Sequence, residues 1–86
     1  MTKTYNFFAD AGHGWLAVKR KELIELGIIN QISAYSYQKG NTVYLEEDCD
    51  MSLFHQAKGF TDCSQYVHKY AERSPIRSYD GFSVAP

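Results

Sequence analysis

Apolar and polar residues alternate along two paired stretches of this chain. From Thr4 to Ala9, Tyr5 and Phe7 point one way and Asn6 and Phe8 the other, the two-residue period of a strand. Trp15 to Val18 is apolar or small throughout and reads as the return strand. The polar stretch between them, Asp10-Ala11-Gly12-His13-Gly14, then becomes a hairpin loop, with two glycines for the positive-φ positions such loops need. Ala34 to Gln38 and Thr42 to Glu46 alternate again around Lys39-Gly40-Asn41. Turn length sets the register here. A Gly40-Asn41 turn places Tyr37 opposite Tyr44. A Lys39-Gly40-Asn41 turn places Tyr37 opposite Val43 and Tyr35 opposite Leu45. The longer turn gathers the large apolar groups on one face and is therefore expected. Val43 exposed with Tyr44 buried would exclude it.

Helical spacing appears in three places. Between Lys19 and Gly27, Leu23, Ile24 and Leu26 form one stripe, with Gly27 as the stop. Lys19, Arg20 and Lys21 sit unfavourably at the positive end of that helix dipole, offset in part by Glu22. After Glu46-Glu47-Asp48-Cys49-Asp50, the residues Met51, Leu53, Phe54 and Ala57 form a buried side, and Lys58 and Gly59 end the helix. Asp48 or Asp50 is the expected N-cap. Beyond Asp62, the residues Cys63, Tyr66, Val67, Tyr70 and Ala71 follow an amphipathic helical stripe, and a helix is predicted. The competing reading is an extended segment with Tyr66, His68 and Tyr70 on one side. Ile28 to Ile32 is a connector or a short extended piece.

The order is β-β-α-β-β-α. It predicts an α+β fold: a small antiparallel sheet of about four strands, made of two β-hairpins, with two or three short helices packed on one face. Residues 1–72 form the single domain. Residues 73–86, with Pro75 and Asp80-Gly81, read as an extended C-terminal arm, either packed on the domain or reaching a partner.

Composition narrows the function classes. A chain of 86 residues buries only a little over ~60% of its unfolded surface, and self-association as a homodimer would add to that. Seven Tyr, five Phe and one Trp supply apolar area with polar tips, suited to core, interface or base stacking alike. A formal net charge of −1 argues against a general nucleic-acid binder. No apolar run reaches the ~20 residues of a membrane span, and no signal peptide is evident, so a cytoplasmic protein with no membrane partner is expected. Cys49 and Cys63 are read as reduced thiols.

Several segments together resemble small uncharacterised proteins of tailed phages, prophages and plasmids: Asp10 to Val18, Leu26 to Ile28, Ile32 to Tyr37 and Val43 to Asp50. The likeness spans roughly residues 4–60 and carries no enzyme signature. It implies an accessory protein of a mobile element, working in a bacterial host cell by binding host machinery.

Candidate chemistry is sparse. Asp10 could orient His13 as a general base or ligand clamp beside Trp15; the structural alternative is an Asx turn with His13 in solvent. Glu46, Glu47, Asp48 and Asp50 form an acidic patch. It lacks calcium-loop spacing, and the alternatives are helix capping or local mimicry of nucleic acid toward a basic partner. Cys49, Cys63, His55 and His68 lack the paired spacing of a zinc site, and neither a metal nor a cofactor is expected. Cys49, near a helix N-terminus, could have a lowered pKa, though a buried packing thiol is the commoner role. Lys19-Arg20-Lys21 with Tyr35, Tyr37 and Tyr44 could make a phosphate-and-stacking platform, against a solvated helix start. Arg73 and Arg77 are available for bidentate contacts from the arm. With no catalytic constellation, the expected function is a non-enzymatic binding protein. Its expected target is a host protein, such as a defence or nucleic-acid-processing factor that it inhibits. The binding residues would be Asp10, His13, Trp15, Tyr35, Tyr37, Arg73 and Arg77. The alternative is a small-ligand or nucleotide binder using the turn from Asp10 to Trp15. A third class, an enzyme with His13 as base, needs a cleft that also holds Cys49 or a carboxylate.

Overall fold

The computed structural model describes residues 3–71 and 75–84. Strand β1 (Tyr5–Ala9) turns back into β2 (Gly14–Lys19), which runs directly into helix α1 (Arg20–Glu25). A 3-10 turn at Ile29–Gln31 leads to β3 (Tyr37–Lys39) and β4 (Thr42–Glu46), then to helix α2 (Asp50–Lys58). Strand β5 (Tyr66–Tyr70), a second 3-10 turn (Pro75–Ser78) and β6 (Asp80–Gly81) complete the order. The class is α+β, with one six-stranded sheet ordered β5-β1-β2-β4-β3-β6. The sheet is mixed: β5 runs parallel to β1, while the other pairs are antiparallel.

Side-chain alternation assigns the two faces. Phe7 pairs with Leu16, Leu16 with Leu45 and Val18 with Val43, so these share one face. Leu23 of α1 and Phe54 of α2, both fully buried, pack on it with Tyr5, Tyr66, Ile28 and Ile32. Tyr5 and Phe54 meet edge to face at 5.1 Å. The ends of both helices follow their glycines, since Gly27 and Gly59 adopt φ of +74° and +71°. Ile24 is 56% exposed, contrary to the expected stripe, because a helix of only six residues presents little more than Leu23 to the core. Ala57 is likewise exposed on α2. Its N-cap is Cys49 rather than Asp48 or Asp50, without a side-chain capping bond.

Two larger expectations also fail, for identifiable reasons. Residues 66–70 are a strand, not a helix. Tyr66 pairs with Tyr5 and Tyr70 with Ala9, so the segment extends the sheet along the exposed edge of β1. The second hairpin turns through Gly40 and Asn41, with Gly40 at φ +59°, and Tyr37 stands opposite Tyr44. Val43 is buried and Tyr44 half-buried, so burial alone did not reveal the register. A longer turn would follow if only one face of the sheet were covered. The sheet has two covered faces.

The second face carries Phe8, Trp15, Tyr44 and Tyr37, and residues 75–79 cross it. Tyr79 packs on Tyr44 at 5.1 Å and Arg77 lies over Trp15. The chain then rounds the β3 edge, where β6 pairs with β3 and Phe82 enters the first core, its N–H donating to the Ser36 carbonyl at 2.8 Å.

Candidate functional site

The loop between β1 and β2 is built on Asp10. Oδ1 accepts from the backbone N–H groups of Gly12 at 3.1 Å and His13 at 3.0 Å, closing an Asx turn. Arg77 then grips the same carboxylate with a fork: Nε donates to Oδ2 at 2.6 Å and Nη2 to Oδ1 at 2.9 Å. The carboxylate is held by main chain and by Arg77, and it meets the His13 backbone rather than its ring. The exposed His13 ring instead lies 5.9 Å from Trp15. The Arg77 guanidinium sits 5.6 Å from the centre of the Trp15 ring.

A second buried carboxylate fixes the loop before β3. Asp50, 3% exposed, accepts from the Ser33 N–H at 3.0 Å, from Ser33 Oγ at 2.7 Å and from Ser36 Oγ. Ser36 Oγ accepts in turn from the Glu46 N–H at 3.0 Å, which ties the loop to the end of β4. Glu46 Oε2 accepts from the N–H groups of Asp48 at 2.9 Å and Cys49 at 3.0 Å, and so organises the entry to α2. These bonds leave Tyr35 at the crest of a braced loop, 72% exposed.

Between the two braced loops lies a cleft of about 370 Å³. His13, Trp15 and Tyr37 form one side, with Tyr35 and Ala34 at the rim, Glu46, Asp48 and Cys49 opposite, and Arg77 from the crossing segment. Trp15 and Glu46 are cross-strand neighbours on the second face of the sheet, and Trp15 meets Tyr37 edge to face at 6.0 Å. Five of the seven residues expected to bind therefore share one cavity: His13, Trp15, Tyr35, Tyr37 and Arg77. Asp10 stands behind it through Arg77. Arg73 lies outside the described residues.

The acidic patch divides. Glu46 and Asp48 face the cleft, Glu47 is exposed, and Asp50 is consumed inside. Cys49 and Cys63 are both free and exposed, not buried packing thiols. The Cys49 thiol is pushed up from its ordinary value, first by desolvation and then by the carboxylates of Glu46, Asp50 and Asp48. The helix end does not lower it, because its neighbours are anions. His55 Nδ1 lies 2.7 Å from the Tyr66 hydroxyl, and His68 packs on Phe7. Among the described residues no three His, Cys, Asp or Glu side chains gather to hold a metal ion.

Lys19, Arg20 and Lys21 line a separate cavity with Ile24 and Asn41 and share none with Tyr35 or Tyr37. Lys19 ends β2 and bonds Thr42 at 3.3 Å, while Arg20 bonds Gln38 and the carbonyls of Ser83 and Val84. Tyr44 is covered by Tyr79, so Tyr35, Tyr37 and Tyr44 do not form one open platform. The alternation pattern gave no signal for Ser33, Ser36 or Cys49. Their roles come from contacts with residues 3 to 17 positions away, which periodicity does not encode.

No family model, curated protein or solved structure matches the chain. Among the described residues, no helix is long and apolar enough to cross a membrane.

Proposed function

We propose that this protein is a non-enzymatic binding module that holds a segment of a partner protein in the cleft beneath Tyr35. The observation that carries this reading is the pairing of an open cleft of about 370 Å³ with a tyrosine that is 72% exposed on a hydrogen-bonded loop. A large, rigid, exposed aromatic beside a pre-formed cavity is the residue type that dominates protein interfaces. Catalysis has less support. His13 and Cys49 share the cleft, but a thiol pushed up by desolvation and by three carboxylates is a poor nucleophile near neutral pH, and Asp10 is engaged elsewhere. The cavity volume also suits a small molecule, which supports a second reading as a small-ligand binder in the same cleft. A nucleotide fits that second reading poorly, since its phosphates would face Glu46 and Asp48.

The resemblance of residues 4–60 to proteins of tailed phages, prophages and plasmids extends the proposal to a bacterial host protein, which capture would inhibit. Immobilised wild-type protein and a Tyr35→Glu variant, each passed over bacterial lysate, test the reading. A partner retained by the wild type and lost by the variant is the expected result. A partner held equally by both, or none held by either, refutes a cleft-borne protein target. A melting-point rise with a small ligand under saturating conditions would favour the second reading instead.

A further inference from the structure

We infer that the cleft recognises one positively charged side chain, a lysine or arginine carried on an extended peptide. This inference rests on the protein-binding reading and specifies what the bound segment must contain. Among the described residues, three that carry a charge line the cavity: Glu46, Asp48 and Arg77. Arg77 is already neutralised by its forked bonds of 2.6 and 2.9 Å to Asp10. At the distance of a ligand such a pair acts as a dipole and its field fades quickly, so the two carboxylates set the sign of the cavity.

The walls select for the same charge. Tyr35 and Tyr37 present aromatic surface beside those carboxylates, and ring faces attract cations. The protein's own Arg77, over Trp15 at 5.6 Å, shows that this wall accepts a guanidinium. An anionic ligand would meet two like charges, and a purely apolar one would desolvate the Asp48 carboxylate and offer no counter-charge to Glu46, whose Oε2 already accepts from two backbone N–H groups.

A peptide is favoured over a free amine by Trp15. It is 2% exposed, and its buried Nε1–H has no hydrogen-bond partner among the described residues. A main-chain carbonyl beside the basic side chain brings an acceptor to that wall, whereas an ammonium group alone only donates.

The test titrates the full chain with capped glycine–serine pentapeptides bearing lysine, arginine or glutamate at the centre, and with n-butylammonium. Calorimetry or amide chemical shifts report binding. The lysine and arginine peptides are expected to bind and the glutamate peptide not. Binding should weaken as salt rises, and n-butylammonium should bind about tenfold more weakly than the lysine peptide. Asp48→Lys, at an exposed position, should weaken the lysine peptide about tenfold or more, while Lys21→Ala outside the cleft should not. Equal binding of the glutamate peptide, or an unchanged affinity in Asp48→Lys, overturns the inference. Equal affinity for n-butylammonium overturns its peptide part. Lysate capture separates this inference from the reading beneath it. Capture lost in Tyr35→Glu but intact in Asp48→Lys sinks the charge preference and leaves the binding module standing. Capture unaffected by either variant sinks the binding module itself.

Discussion

Replacing Asp10 with alanine should cost far more stability than an ordinary loop substitution. The Asp10 side chain is 1% exposed. Among the described residues it accepts two backbone N–H bonds and two from Arg77. Hydrogen bonds to a charged group are worth about 1.5–3 kcal/mol each in isolation, but they are not additive. Gly12 and His13 are exposed, so their freed N–H groups recover part of the loss from water. Breaking a buried charge pair by removing one partner costs about 3–5 kcal/mol. The lower end of that range, about 3 kcal/mol, is the appropriate estimate for Asp10→Ala, because Arg77 keeps solvent access at 33% exposure. A chain of this size has roughly 4–13 kcal/mol in total, so the melting temperature should fall by about 12–24 °C. Asp10→Asn keeps an acceptor for the Asx turn and loses the charge, and should cost about half as much.

Urea unfolding followed by the fluorescence of Trp15, the only tryptophan, reads both variants directly. A loss below about 1 kcal/mol for Asp10→Ala would refute the claim that this carboxylate pins the loop to the crossing segment. Equal losses for Ala and Asn would refute the division between turn and charge. Asp10→Ala should show its stability loss first, and once cooled until it is folded it should hold a partner more weakly, because the ion pair that fastens Arg77 to the cleft wall is gone. An unchanged melting point with lost capture would reverse that order.

Three further outcomes follow from the packing. Asp50→Ala removes the acceptor for Ser33 and Ser36 and should cost about 3 kcal/mol; it should also raise amide exchange at residues 33–36, and unchanged exchange would detach Asp50 from the Tyr35 loop. Gly14→Ala places a Cβ 2.3 Å from Phe7 Cζ and 3.0 Å from Glu47 Oε2, so thermal melting should show a loss of about 1–3 kcal/mol; wild-type stability would mean that Phe7 shifts at little cost. Glu22 should make stability depend on pH. Burial alone would raise its carboxyl, but bonds from the Tyr5 hydroxyl, Lys58 and Lys3 outweigh that and hold it at about 2, against an ordinary 4.5. The folded value is depressed, so this contribution is present above pH 4.5 and is lost as pH falls toward 2. With Lys3 in solvent it amounts to about 1–2 kcal/mol, and Glu22→Gln should flatten the acid limb of the stability curve by that much.

The strands with an amphipathic period were legible in the chain, and so were the helix ends marked by Gly27 and Gly59. The failures have one physical root. At residues 63–71, Cys63, Tyr66, Val67 and Tyr70 satisfy a helical stripe, yet Tyr66 and Tyr70 also satisfy a strand period. The open edge of β1 decided between them, and that edge is not written in the segment itself. The turn at Gly40 failed similarly, because nothing in residues 34–46 announces that Tyr79 will cover Tyr44. At the cleft, residue type pointed to His13, Trp15, Tyr35, Tyr37 and Arg77. What joins them is a fork from Arg77 to Asp10 across 67 positions, a separation beyond any local pattern.

That long contact bears on how binding and stability are related here. Trp15 is 2% exposed even though α1 and α2 pack their buried residues on the opposite face. Its cover comes from Arg77 and its neighbours, which arrive only when residues 75–79 cross the sheet. Phe82, 9% exposed, then secures the same segment in the opposite core. The cleft wall is thus assembled last in sequence and fastened at both ends, by an ion pair on one face and a phenyl ring on the other. Loosening either fastening would remove Arg77 from Trp15 and leave Glu46 and Asp48 beside a disordered wall. Variants at Phe82, which does not line the cleft, should therefore weaken capture in proportion to the stability they cost. Variants at Tyr35 should weaken it with little stability cost, because that side chain is 72% exposed.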